Sequence, residues 1–358
     1  MSQRLYLDHA ATTPMLLDAR EAMRAAIARW ANPSSPHAEG RAARAMLEDA
    51  RRRIAAALDW RGEVILTGGA TEAIRMALSR ARCDARIVSA VEHDAVHRAA
   101  PDAFFLPVQQ DGMVLPEALA GRLGALGATA PLVAVQSVNN ETGVCQPLAE
   151  LAPIVRRSGG LLFADCAQSA GKAPLPDADL IAISAHKFGG PPGVGALLVR
   201  DLGMLEPSGG QEKGYRPGTE NVPGVVAMTT ALESGRGWVD RAGDLRAHLD
   251  GAIEAAGGAV VAKRSPRLAT IGAYRMPGMA ASAQLIQLDL AGIAISAGSA
   301  CSSGTLKSSH VLSAMGWSET ESGQVIRVSF GPETSRADIY RLLDAWKRIA
   351  ESARSSAA

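Results

Sequence analysis

Between about residues 60 and 200 short apolar runs alternate with charged, alanine-rich stretches. The run at 180–184, Leu-Ile-Ala-Ile-Ser, is apolar up to its last residue, with isoleucine at alternate positions. It predicts a strand buried on both faces. Runs at 64–67, 86–89, 104–108, 132–138, 161–164 and 195–199 predict further strands. Residues 70–82 and 148–157 carry a helical period between them. Upstream, Met23, Ile27 and Trp30 at helical spacing predict a first helix, Asn32 to His37 a turn, and residues 38–58 a long charged helix. Strands alternating with helices predict an α/β fold whose mostly parallel sheet is covered by helices on both faces.

Past about residue 240 this rhythm breaks. A helix near 241–256, short segments at 285–290, 293–295 and 325–330, and a last helix from about 335 predict a smaller α+β domain. The expected division is a large domain over residues 12–240 and a small one over residues 1–11 and 241–358, the latter carrying Cys301.

Composition narrows the function classes. The chain has 358 residues and a net charge of +1, with no dominant basic tract, so neither nucleic acid nor an anionic membrane is expected as a partner. No apolar run reaches the length of a membrane span, and residues 1–8 lack an apolar signal core, so a cytoplasmic location is expected. The four cysteines, Cys83, Cys145, Cys166 and Cys301, form no Cys-x-x-Cys pair, and no metal site is expected. Aromatic residues are only 4% of the chain, so the core must rest on Ala, Val, Leu and Ile.

The chemistry-bearing residues collect where strands end, which is where open α/β sheets bind ligands. Gly68-Gly-Ala70-Thr71 lies between a strand and a helix, a place where free N–H groups receive an anion. Asp165 ends an apolar run, with Gln168 one turn later, and His93 follows the 86–89 strand. Ser184, His186 and Lys187 close the 180–184 strand ahead of a Gly/Pro-rich loop. Taken singly, each has a plain structural explanation: a tight turn, a helix-capping aspartate, a loop histidine, a surface lysine. Together they supply what pyridoxal phosphate needs: an amine nucleophile, a carboxylate for the pyridine nitrogen, a donor for the ring oxygen, a stacking ring and a phosphate site.

Asn32-Pro-Ser-Ser-x-His37, Gly69-Ala-Thr-Glu72, Glu92-His93, Asn140-Glu-Thr-Gly143, Asp165-x-Ala-Gln168, Ser184-x-His-Lys187, Gly209-Gly-Gln-Glu212, Arg216-x-Gly-Thr-Glu-Asn221, Gly298-Ser-Ala-Cys301 and Ile326-Arg327 follow one another in this order. In these motifs the chain resembles the cysteine desulfurases of iron–sulfur cluster assembly, which are fold-type I pyridoxal-phosphate enzymes of the class V aminotransferase group. The resemblance runs from Tyr6 to about Gly331.

It implies that Lys187 carries the cofactor, that Asp165 and Gln168 contact the pyridine nitrogen and ring oxygen, and that His93 stacks on the ring. Ala70, Thr71, Ser184 and His186 would receive the phosphate, with Thr219 reaching the phosphate of the other subunit of a homodimer. Asn140 and Arg327 would hold the carboxylate of L-cysteine. Cys301, in a small and polar stretch, would take the sulfur as a persulfide and pass it to an iron–sulfur scaffold or another acceptor protein. Cys83, Cys145 and Cys166 read as small filler residues. A selenocysteine lyase, a class V aminotransferase and a catalytically silent scaffold partner stand as alternatives. Against the last, no matched catalytic position is substituted; against transamination, Cys301 and its loop would have no purpose. Where many relatives carry proline before Ser-His, this chain has Ser308.

Overall fold

The computed structural model describes residues 4–29, 31–298 and 308–357. In chain order they form β1 (Leu5–Tyr6), α1 (Leu17–Ile27), α2 (Ala38–Ala57), β2 (Glu63–Thr67), α3 (Ala70–Arg80), β3 (Ala85–Ser89), α4 (Asp94–Ala99), β4 (Phe104–Leu106), α5 (Pro116–Leu126), β5 (Pro131–Ala134), α6 (Leu148–Arg157), β6 (Leu161–Asp165), β7 (Leu180–Ser184) and β8 (Gly195–Val199). There follow α7 (Val222–Glu233), α8 (Trp238–Ala255), β9 (Ala259–Val260), β10 (Ile271–Arg275), α9 (Ala281–Leu290), β11 (Ile293–Ala294), α10 (His310–Ala314), α11 (Glu319–Ser322), β12 (Val325–Ser329) and α12 (Arg336–Ala357).

Seven strands make the large sheet, in the order β2-β8-β7-β6-β5-β3-β4. Only β8 runs against the others. Both faces are buried, as the unbroken apolar runs predict. In β7, Ile181 and Ile183 join the core beneath α2, α6 and α7, while Leu180 and Ala182 join the core beneath α3. Because β2, β3, β5, β6 and β7 share one direction, their carboxyl ends form one edge. Residues 68–71, His93, Asn140, Asp165 and Lys187 all follow those ends.

A second core packs α8, α9 and α12 on the antiparallel sheet β12-β10-β9, with Trp346 and Tyr274 fully buried. The N-terminal β1 belongs to this core: Leu5 and Leu7 lie in it, and β1 pairs with β11 in parallel.

The first helix departs from its expected facing. Ile27 is 52% exposed, because α1 packs through the small Ala19 and Ala26 rather than through its large apolar residues. Helix α7 has no sequence period at all: it is apolar on nearly every side and buried on nearly every side. Residues 285–290 are the end of a helix, α9, whose Ile286 and Leu290 face outward.

Close packing at one glycine joins the sheet to the site. A Cβ on Gly195 would lie 2.4 Å from the Ile183 carbonyl oxygen and 2.7 Å from the Gly69 Cα. Gly195→Ala is therefore expected to destabilise the protein by about 1–3 kcal/mol. Gly251→Ala, in α8 with nothing near its side-chain position, should stabilise it by about 0.5–1 kcal/mol. Urea denaturation of both variants checks the pair; equal effects would contradict the packing described.

Candidate active site

Lys187 follows β7 in a single helical turn, Ala185–Lys187. Its amine donates to the carbonyl oxygens of Ala10 at 2.7 Å and Ala11 at 2.9 Å. Gln168 Nε2 donates to the same Ala10 oxygen at 2.8 Å. The segment supplying these carbonyls is itself tied to the lysine's backbone. Thr13 N–H donates to the His186 carbonyl at 2.8 Å, and Thr13 Oγ1 to the Lys187 carbonyl at 3.1 Å.

Asp165 ends β6 with its side chain buried. Its Oδ1 accepts the Ala167 N–H at 2.9 Å, so it does cap the following turn. That one bond leaves a buried carboxylate with no ion pair among the described residues. Burial raises its pKa, against the opposing pull of the His93 and Lys187 charges. Gln168 Oε1 is likewise buried and unpartnered.

His93 caps α4. Its Nδ1 accepts the Ala95 N–H at 3.1 Å, so a neutral ring carries its proton on Nε2. It lines a cavity of about 870 Å³ together with Thr71, Asn140, Glu141, Ser308 and His310. Glu92 beside it is fully buried. Its Oε1 accepts the Gln136 N–H at 2.7 Å, Oε2 has no partner, and burial lifts its pKa well above the usual carboxylate range. His310 Nε2 lies 2.8 Å from the Glu92 carbonyl, and Ser309 Oγ donates to Glu141 Oε2 at 2.5 Å. These two bonds fix the chain at residues 309 and 310.

The structure brings Arg327 and Asn140 together. Arg327, on β12, donates through Nη1 to the Asn140 carbonyl at 3.0 Å and through Nη2 to Asp8 Oδ1 at 2.8 Å. The sequence gives no hint of the Asp8 pair, because 319 residues separate the two. The guanidinium is thus already aimed and part-neutralised, with Nε buried and unpartnered.

Helix α3 offers the anion site. Gly69, at φ 135, caps it in a conformation that side chains avoid, and a Cβ there would lie 3.6 Å from Ser184 Oγ. Ala70 and Thr71 begin the helix, so backbone N–H groups, the Thr71 hydroxyl and Ser184 Oγ are available to one anion. His186 lies 3.2 Å from Thr12 Oγ1 through Nδ1. Its pKa falls to about 4, chiefly by burial and then by the Lys187 and Lys172 charges, so it would meet a phosphate as a neutral donor.

Thr219 stands apart. It is exposed on the loop before α7, with no hydrogen bond to Thr71, Ser184 or His186 among the described residues. That loop is firmly built. Glu212, at φ 49, accepts from both Arg51 nitrogens (2.7 and 3.0 Å) and from Leu66 N–H (2.7 Å). Arg216 Nε meets Glu72 Oε1 at 2.9 Å, and Gly218 N–H meets Gln211 Oε1 at 2.8 Å.

Cys301 lies outside the described residues. The three other thiols are poor nucleophiles. Burial raises the pKa of Cys83 and Cys145, and pushes the fully buried Cys166 up to about 12.

These residues fit pyridoxal phosphate. A buried carboxylate with one backbone donor suits a pyridinium nitrogen, Gln168 Nε2 has a second N–H beyond the one given to Ala10 and can donate to the ring oxygen, and a glycine-capped helix suits the phosphate. Asp165→Asn tests the fit. The group's folded pKa is raised above the ordinary 3.8, so the wild-type apoprotein loses stability as pH rises from there through the raised value. At pH 7 the variant apoprotein should be more stable by about 1–3 kcal/mol, a difference that disappears in acid. It should also bind pyridoxal phosphate more weakly. Urea melts at two pH values and a cofactor titration measure both effects; a variant less stable at pH 7 would overturn the reading of Asp165.

The profile of the class-V aminotransferases, described as "Aminotransferase class-V", matches residues 5–342. The "IscS-like cysteine desulfurase" of Mycobacterium tuberculosis is 37% identical over 98% of this chain and 98% of its own. The "Cysteine desulfurase IscS" of Dictyoglomus turgidum is 34% identical over 99% of this chain and 96% of its own. Among solved structures, a NifS-like protein from Rickettsia africae superposes with a TM-score of 0.90 at 28% identity, covering 98% of this chain and all of that one. With full-length relatives of one kind and the strand-end residues assembled at one edge, the chain belongs to the class-V aminotransferases and, within them, to the cysteine desulfurases.

Proposed function

We infer that the protein is a pyridoxal-phosphate-dependent cysteine desulfurase that releases L-alanine from L-cysteine and keeps the sulfur on Cys301. The observation that carries this reading is the convergence of Lys187, Asp165 and Gln168 beside a helix-terminal anion site, in a chain alike over its whole length to cysteine desulfurases. Bound there, the cofactor supplies an electron sink that labilises bonds at the substrate's α-carbon.

The chain's residues do the rest. Arg327 and Asn140 receive the substrate carboxylate, with Asp8 holding the guanidinium in place. Asp165 keeps a proton on the pyridine nitrogen. The Lys187 amine moves the α-proton, and the Ala10 and Ala11 carbonyls define where that amine sits when it is charged. The Cys301 thiolate attacks the substrate sulfur. A sulfur–sulfur bond forms, the carbon–sulfur bond breaks, and its electron pair remains on carbon, which is protonated to give alanine. The raised thiol pKa values of Cys83, Cys145 and Cys166 favour Cys301 for this role.

The active unit is a homodimer in which Thr219 of each protomer reaches the cofactor phosphate of the other. The exposure of Thr219 on a braced loop supports this. The sulfur then passes to an acceptor protein of iron–sulfur cluster assembly or another sulfur pathway.

The test uses the cofactor-loaded protein and L-cysteine. Alanine should appear with one persulfide, mapped to Cys301 by mass spectrometry. Cys301→Ser should leave folding and the substrate-induced spectral change intact while alanine falls to background, and Cys83→Ser should behave as wild type. Normal alanine release by the Cys301 variant would overturn the assignment of the acceptor thiol.

A further inference from the structure

The turn that carries Asn140 is held from two sides. On the side of the large sheet, Asn139 Oδ1 accepts the Glu141 and Thr142 N–H groups, each at 2.9 Å, and Asn139 Nδ2 donates to the Val91 carbonyl at 3.0 Å. On the other side the turn leans on the second core. Gly143, at φ 77, is pressed on β10: a Cβ there would lie 2.8 Å from the Ile271 carbonyl oxygen. Leu268 N–H donates to the Gly143 carbonyl at 2.8 Å, and Cys145 N–H to the Pro266 carbonyl at 2.8 Å. Between these bonds Val144 and Arg267 pair in antiparallel fashion.

Helix α8 holds residues 266–268 in turn. Arg246 and Asp250 lie one turn apart on it and so share a face. Arg246 Nη1 donates to the Arg267 carbonyl at 3.0 Å and to the Leu268 carbonyl at 2.8 Å. Asp250 Oδ2 receives the Arg267 side chain at 2.7 Å, and its Oδ1 receives the Tyr274 hydroxyl of β10 at 2.8 Å. The backbone and the side chain of Arg267 are thus both fixed by one helix. Arg246 makes no ion pair among the described residues, and its Nε is buried without a partner. Part-burying a guanidinium without a carboxylate costs desolvation. What it secures here is the place of two backbone carbonyls.

An unbroken series of bonds therefore runs from Arg246 through residues 266–268 to the Asn140 turn. The same strand, β10, pairs with β12 so that Ala273 lies opposite Arg327. Arg327 reaches back to the Asn140 carbonyl at 3.0 Å. The two receptors of the substrate carboxylate take their spacing from α8 and β10, and Arg246 ties the Asn140 half.

We propose that Arg246 is a positioning residue for recognition of the substrate carboxylate: by fixing residues 266–268 it sets the turn that presents Asn140 beside Arg327. This rests on the reading that Asn140 and Arg327 receive that carboxylate. Lys187, Asp165 and Thr71 lie on other segments, so loss of Arg246 affects the carboxylate and spares the cofactor and the substrate's amine.

The test compares two ligands on the cofactor-loaded protein through the chromophore's spectral change: L-alanine, the product, and ethylamine, the same amine without its carboxylate. In Arg246→Met the Kd of L-alanine should rise about tenfold, while the Kd of ethylamine and the affinity of the apoprotein for pyridoxal phosphate stay at wild type. Equal weakening of both ligands would mean a general loosening and would overturn the proposal, as would an unchanged ratio of the two Kd values. Should the Met variant fail to fold, Arg246→Lys decides. Its amine ends one bond short of Nη1, so the Kd of L-alanine should rise about threefold with ethylamine unaffected, and an unchanged Kd refutes the proposal. Asn140→Ala separates the proposal from the reading beneath it. A wild-type ratio in that variant defeats the assignment of Asn140 itself. A lowered preference for L-alanine there, with a normal one in Arg246→Met, defeats the proposal alone.

Discussion

The Ala10 and Ala11 carbonyls hold the Lys187 amine, and the site depends on their staying where they are. They belong to a strap tied at both ends. On one side, Leu5 and Leu7 bond to the Gly292 and Ala294 carbonyls, and Ser329 N–H bonds to Leu7. On the other, Thr13 bonds to His186 and Leu16 to Gly189. Asp8, in the middle, fixes Arg327. One stretch, a short strand followed by a turn at residues 9–11, thus sets the spacing between the lysine that carries the chemistry and the arginine that receives the substrate. A shift of either core relative to the other would be felt first at this strap.

Around it lies an unusual concentration of buried ionisable groups with incomplete partners. Asp165 has one backbone donor, Glu92 Oε2 has none, and neither His9 Nδ1 nor Gln168 Oε1 is satisfied. In an ordinary core each would be a defect. Unsatisfied atoms occur elsewhere too, at Arg246, Arg267 and Gln284 among others, but those of Glu92 and Gln168 lie beside Asp165 and Lys187, where a bound ligand can partner them.

Much of this was legible in the sequence, and the limits have physical causes. The strands of the large sheet could be read because burial on both faces demands continuous apolar runs. The strand-end motifs could be read because each is local. Helix α7 could not, since a helix buried all round has no amphipathic period. The outward Ile27 misled for a related reason: α1 uses alanines to approach α7 closely, and the larger residues are left outside. The Asp8–Arg327 pair and the Ala10 carbonyl were invisible because backbone acceptors carry no sequence signature and their partners lie far along the chain.

The strap also sets an order of assembly. Strands β7 and β8 are neighbours joined by the short loop that holds Lys187, so this hairpin can close as soon as it is made. The strap's partners on the other side lie far along the sequence: Ala10 N–H bonds to Ser329 Oγ, 319 positions away. Residues 5–13 must therefore wait, unpaired on that side, until residue 329 has been made. The large sheet, whose last strand ends at Val199, can form cotranslationally with its lysine in position, yet the carbonyls that orient the amine are fixed on that side only later. A nascent or truncated chain can fold its central sheet and still lack the finished site.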